Sequence, residues 1–252
     1  GTRIDRILTC VCVMKEKILA LDTSSRILAL ALAQGDEIVW EENHSQQFRH
    51  IELLVPLVQE GLQSCGWRMS DITVAACGIG PGSFTGLRVG LAAVKALGLA
   101  QRLKVVTLSS LDIIAHNARE RGDCAVIVDA RRDSVYYAGY TVSSRGVRKR
   151  NQDKVLSLRQ LKSRLKRRKK RLTVCGDGWG AYGTELAKKC GDIFQPLSRD
   201  MWFPRGRSIV ACAQPPLSRK EYTPLPQVLP RYLRLSRAEE VRARQRKKAR
   251  RR

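Results

Sequence analysis

The sequence predicts an α/β fold built from two similar units, and three observations carry that prediction. Residues 17–33, KILALDTSSRILALALA, read as two apolar strands around a polar turn. Residues 124–141 repeat the arrangement: CAVIVD, the turn Ala130-Arg131-Arg132-Asp133, and a β-rich return from Ser134 to Thr141. Between the two units, VAACGIGPGSFTGLRVGLAAVKALGLA at 74–100 reads as a strand, a tight glycine loop and a long helix.

Taken in order, the first unit places Asp22 at a strand end, before Thr23, Ser24 and Ser25. Those residues suit a hairpin turn, which is the favoured reading; they can also orient a metal-bound phosphate. Glu37 to Glu41 extend the sheet as a third strand. From Phe48 to Leu62 the apolar residues Ile51, Leu54 or Val55, Val58 and Leu62 recur at helical spacing, with Pro56 predicting a kink or a late start. His44 and His50 flank that helix six residues apart, which is not the spacing that puts two imidazoles on one face. No metal site is expected.

In the central stretch, Gly78, Gly80 and Gly82 allow close backbone approach, and Ser83 or Thr85 can cap the helix. A helix start of this kind attracts phosphate, yet the Lys-Ser/Thr pair of a P-loop is missing, since Leu87 and Arg88 follow Gly86. Gly86 and Gly90 lie four apart, and Ala92, Ala96 and Ala100 make a second small-residue row. Glycine within a helix costs roughly 1 kcal/mol relative to alanine. Something therefore packs closely there, either a neighbour in the same chain or another subunit. Further strands are expected at 105–108 and 172–175, with helices at 112–119 and 158–172, the latter with Leu158, Leu161 and Leu165 on one stripe. From Gln195 onward the prolines predict an extended segment.

The 252 residues suffice for one or two domains, and 43% are hydrophobic. The net charge of +24 is concentrated in two places. Residues 145–171 carry 14 Lys/Arg against one acid, and residues 237–252 carry nine against two, so 20 of the 24 charges lie there. Phosphate contact is expected from Arg167, Arg168, Lys169 and Lys170, and from Arg246, Lys247 and Lys248 in the tail. The eight cysteines contain no Cys-x-x-Cys pair, which argues against zinc and thioredoxin-type chemistry and for reduced thiols. No apolar run reaches the length of a membrane span, and a cytoplasmic location is expected. Residues 1–16 are read as a leader outside the fold, disordered or an artefact of start-site choice, and 237–252 as a disordered or frayed tail.

ILALDTSS, GIGPGSFTGLRVGLAAVKAL, VIVDARRDSVYYAGY, GDG and PRYLR together resemble the bacterial TsaB (YeaZ) family, from about Lys17 to Glu239. The resemblance implies the two-lobed fold of actin, hexokinase and Hsp70-type ATPases, made of duplicated ribonuclease-H-like units. The first lobe then spans 17–120 and a reduced second lobe 121–236. It also implies a non-catalytic subunit of the tRNA threonylcarbamoyladenosine machinery acting on ANN-decoding tRNAs. Its partners would be the catalytic TsaD, the ATPase TsaE, tRNA through the complex, and a second copy when alone. The interface is expected on the helices at 48–62 and 83–100, through Ile51, Leu54, Val58, Gly86, Arg88, Val89, Gly90 and Ala93. By alignment, Ser110 and Ile114 stand where the sister subunit has its metal-binding histidines. Asp22, Ser24, Gly80, Gly82 and Ser83 are expected to form a degenerate phosphate site, with at most weak ATP or ADP binding and no resident cofactor. The residues leave two rivals open: an independent nucleotide-dependent phosphotransferase, and a basic RNA-binding module.

Overall fold

A computed structural model describes residues 15–45 and 49–234. The first sheet contains β1 (Lys17–Asp22), β2 (Ile27–Gln34), β3 (Glu37–Ser45), β4 (Val74–Gly78) and β5 (Lys104–Leu108), in the order β3-β2-β1-β4-β5. β1 pairs antiparallel with β2 and parallel with β4. Both faces of this sheet are covered, which is why β1 and β2 are apolar almost without alternation. On one face lie α1 (His50–Ser64) and α2 (Phe84–Gln101), which bury Leu54, Val58, Leu62, Leu91 and Val94 against Leu19, Leu21 and Leu30. On the other face lies α6 (Gly206–Ser218), with Ile209, Val210 and Ala213 against Ala20, Ala31 and Ala76.

The second sheet repeats this topology. β6 (Gly122–Asp129), β7 (Ser134–Ser143) and β8 (Gly146–Lys149) are antiparallel, while β10 (Leu172–Cys175) and β11 (Phe194–Pro196) run parallel to β6. The order is β11-β10-β6-β7-β8, with β9 (Lys154–Ser157) pairing to β7 beyond β8. Counted within each unit with β9 set aside, both sheets read 3-2-1-4-5, the signature of the duplicated, two-lobed actin-like fold. α4 (Leu158–Lys166) and α5 (Gly178–Cys190) cover one face, and α3 (Ser110–Ala115) covers the other through Leu111, Ile114 and Ala115. α3 also packs on α6, so these two helices join the lobes.

Several expectations are corrected. The segment after Gln195 is not extended throughout: α6 forms because Ile209, Val210, Ala213 and Leu217 have a core to enter, and Pro215 and Pro216 fall in its last turn. α6 belongs with the first sheet, so the second lobe does not continue unbroken to residue 236. α1 starts at His50 and runs through Pro56 to Ser64. α4 ends at Lys166, short of the expected 172. Lys15 and Glu16 belong to the fold rather than to a leader, since Glu16 accepts hydrogen bonds from Lys104 and Tyr222. Residues 1–14 and the basic tail lie outside the described residues. Six cysteines are described and all are free.

Candidate functional site

The glycine loop and the first hairpin turn meet as expected, but they close on each other. Asp22 is fully buried; its carboxylate accepts from the Ser24 amide at 2.7 Å and from the Ser110 hydroxyl at 2.7 Å. Ser110 in turn accepts from the Gly80 amide at 3.1 Å and donates its own amide to the Gly80 carbonyl. The Ser83 amide, at the helix start where a phosphate would sit, donates instead to the Ser24 carbonyl at 2.7 Å. Gly82 lies so close that a Cβ would come within 2.3 Å of the Ser24 carbonyl oxygen. A side chain at Gly78 would run into the Asp22 carboxylate. The five residues of the expected phosphate site are thus together, with the Asp22 carboxylate and the Ser24, Gly80 and Ser83 amides bonded within the same knot, Gly80 through Ser110. Burial raises the Asp22 pKa, against hydrogen bonds from Ser24 and Ser110 and the nearby His50, which lower it.

A C-terminal strap seals this knot. The Arg231 amide donates to the Ile79 carbonyl at 2.7 Å, and its guanidinium reaches Asp153 at 2.8 Å. The Asp153 side chain is wholly buried; it also accepts from Ser109 at 2.8 Å and pairs with Lys149 at 2.5 Å. Tyr232 stacks on Phe84 with ring centroids 4.3 Å apart, and Arg88 lies over Phe84 and donates to the Tyr232 hydroxyl. Arg234 donates to the carbonyls of Ala130 and Arg131 in the second hairpin turn. In that turn Arg131, Arg132 and Asp133 all have positive φ, and Asp129 accepts from the Arg131 amide and the Tyr182 hydroxyl. The strap therefore touches both the glycine loop and the second hairpin turn. Nothing in the sequence beyond the PRYLR stretch signalled it, because its partners are more than 70 residues away.

The residues at 110 and 114 do not fit a metal held by a pair of histidines. Ser110 is fully buried and committed to Asp22 and Gly80, and Ile114 is an apolar core residue. His50 bonds the Ser25 carbonyl at 2.8 Å, and no group of three His, Cys, Asp or Glu side chains converges among the described residues.

The expected interface splits in two. Gly86 and Gly90 face inward: a Cβ would lie 2.1 Å from the Thr23 carbonyl oxygen at Gly86, and 2.3 Å from Thr23 Oγ1 at Gly90. Their close neighbour is the first hairpin turn of the same chain, so they do not form a docking face. Leu54 and Val58 are likewise core, and Val89 and Ala93 are half-buried against it. What remains outside is a different stripe. On α1 Ile51 and Val55 are 68% and 58% exposed; on α2 Leu99 is 74% exposed, with Ala92 and Ala96 exposed beside it. Arg88 is exposed at the strap end of the same helix. The i, i+4, i+7 spacing of Ala92, Ala96 and Leu99 is the sequence signal that could have found this face.

Of the expected phosphate contacts, Arg168 is committed to Asp123 at 2.7 Å, whereas Arg167, Lys169 and Lys170 are exposed. Arg246, Lys247 and Lys248 lie outside the described residues.

With this geometry in hand, comparison with known proteins is decisive. The chain is 31% identical over 194 residues to the tRNA threonylcarbamoyladenosine biosynthesis protein TsaB of Escherichia coli, covering 73% of this chain and 84% of that one. The chain belongs to the TsaB (YeaZ) family. Within that family, the Bacillus subtilis TsaB is 34% identical over 124 residues, 49% of this chain and 54% of its own. The solved YeaZ of Pseudomonas aeruginosa superposes with a TM-score of 0.74 at 27% identity, covering 86% of this chain and all of that one. A family profile described as "TsaD: tRNA N6-adenosine threonylcarbamoyltransferase" matches residues 38–239, so TsaB-type chains and the transferase are related. Family membership gives the chain a role in threonylcarbamoyladenosine biosynthesis. No helix among the described residues is long and apolar enough to cross a membrane.

Proposed function

We propose that this chain is a non-catalytic subunit that binds and supports TsaD, the catalytic subunit of tRNA threonylcarbamoylation, in an assembly that TsaE joins. The observation that carries this reading is the exposed apolar side chains on the two neighbouring helices, Ile51 and Val55 on α1 and Leu99 beside the exposed Ala92 and Ala96 on α2. Large exposed apolar side chains grouped on adjacent helices mark an interaction site. The alanines let a partner helix approach closely. The absence of catalysis is supported by Ser110 and Ile114, which offer no pair of metal ligands, and by a glycine loop in which the Gly80 and Ser83 amides are already bonded within the chain. The same closure disfavours an independent phosphotransferase, and we assign the chain no resident nucleotide. In isolation the stripe can be covered by a second copy. The test is co-elution with TsaD of the wild-type chain and of Val55→Asp with Leu99→Asp. The double variant should melt like the wild type and elute alone, and co-elution at wild-type affinity would overturn this choice of interface.

A further inference from the structure

We propose that one end of the second sheet binds folded RNA by its phosphate backbone. This inference rests on the reading of the chain as part of a tRNA-modifying assembly, and it concerns the second sheet, whereas α1 and α2 pack on the first.

The strand register brings separated basic segments together. Leu172 of β10 pairs with Asp123 of β6, Gly122 with Val142 of β7, and Ser143 with Gly146 of β8. The starts of β10, β6 and β8 and the end of β7 therefore lie side by side. Arg121 enters β6 and Arg171 enters β10 at this end, and Arg145 sits in the turn between β7 and β8. Four neighbouring strands about 4.8 Å apart span roughly 15 Å. A nucleic-acid strand carries one phosphate per roughly 3.4 Å of axis, so this width faces about four phosphates.

Charge at this end is lopsided. Segments 119–123, 145–150 and 167–171 supply eleven Lys/Arg against Glu120 and Asp123. Lys149 turns away to Asp112 and Asp153, and Arg150 and Arg168 both bond Asp123 at 2.7 Å. Those two arginines are structural, tying the strand ends together. Arg119, Arg121, Arg145 and Arg148 remain exposed with no ion pair among the described residues, and so do Arg167, Lys169, Lys170 and Arg171. Beside them a hollow of about 340 Å³ lies between Arg119, the β7–β8 hairpin and Arg207. Such a cluster costs folding energy through self-repulsion, which a polyanion relieves.

The composition also selects the polyanion. None of the three segments contains an aromatic residue, so bases of an unpaired strand have nothing to stack on. None exposes a large apolar side chain that would enter a bilayer. Backbone contact of this kind positions RNA without reading its sequence.

The experiment compares the full chain with Arg145→Gln, Arg148→Gln, Lys169→Gln, Lys170→Gln, using a transcribed ANN-decoding tRNA, oligouridylate and anionic phosphatidylserine vesicles as probes. Each phosphate contact contributes about 0.7 to 0.9 to the slope of log affinity against log salt. The quadruple variant should bind tRNA roughly 100-fold or more weakly at about 0.1 M salt, with a slope shallower by about three. Its melting temperature and its co-elution with TsaD should not change, and the wild type should favour tRNA over oligouridylate. The pair Arg119→Gln, Arg121→Gln, on another connection, should show about half the slope change. Equal tRNA affinity and slope across these chains would overturn the proposal, as would a loss confined to vesicles. Failure of every chain to co-elute with TsaD would instead speak against the subunit reading.

Discussion

Replacing Gly86 by alanine separates an internal contact from a docking surface. The added Cβ would stand 2.1 Å from the carbonyl oxygen of Thr23, and a backbone atom cannot swing aside as a side-chain tip can. Overpacking of this sort costs about 1–3 kcal/mol, and a rigid neighbour places this case near the top of that range. Alanine returns about 1 kcal/mol through its helix propensity. The net cost is then about 2 kcal/mol. For a chain of this size that lowers the melting temperature by roughly 4–8 °C. The displaced turn also carries the Thr23 hydroxyl bond to the Gly86 carbonyl, so the two elements should loosen together. The assay is thermal unfolding followed by circular dichroism, with TsaD co-elution measured below the transition. Gly86→Ala should melt early and still bind TsaD. A wild-type melting temperature with lost TsaD binding would refute the internal assignment.

Other perturbations have equally definite outcomes. Ala96→Leu, on the exposed stripe, should leave urea stability within about 0.5 kcal/mol while weakening TsaD co-elution. Arg231→Ala removes a charged hydrogen bond to the buried Asp153 and should cost about 1.5–3 kcal/mol, read from the shift of the urea midpoint. Asp22 has a folded-state pKa above its usual 3.8 because it is buried, so the folded protein takes up its proton more readily than the unfolded chain. Its ionised form therefore opposes folding at neutral pH, and the penalty fades as pH falls through the raised pKa toward 3.8. Asp22→Asn should accordingly be more stable than wild type at pH 7, with a gain that shrinks on acidification; a gain that grows would reverse the sign argued here. Metal analysis of the purified chain should find no stoichiometric zinc or iron, and iron or zinc that is lost in Ser110→Ala would contradict the non-catalytic reading.

Much of the architecture was legible in the sequence because it rests on local signals. The apolar runs at 18–22 and 27–33 and at 124–129 could only be buried strands, and the repeated strand–turn–strand pattern announced two units. Residue type narrowed the cap of α2 to Ser83 or Thr85, and Ser83 is the one that caps it. The small-residue positions announced close contact, but not with what. Helical periodicity put Ile51, Leu54 or Val55, Val58 and Leu62 on one stripe of one helix. Only the placement of the first sheet decided that Leu54 and Val58 are core while Ile51 and Val55 face outward. The same holds for Asp22 and Ser110, whose 88-residue separation hides a 2.7 Å hydrogen bond, and for Arg231, which finds Asp153 across 78 residues. The charge runs were plain in the sequence, yet which arginines are spent and which remain available depended on strand register. Periodicity, caps and composition are properties of neighbours along the chain, so the sequence by itself determined the first-sheet strands, the α2 helix and the kinship of the two units, but not α6, whose helix depends on a core supplied by distant strands. Which faces meet, and which polar groups exhaust one another, are properties of neighbours in space, and these only the tertiary structure decided.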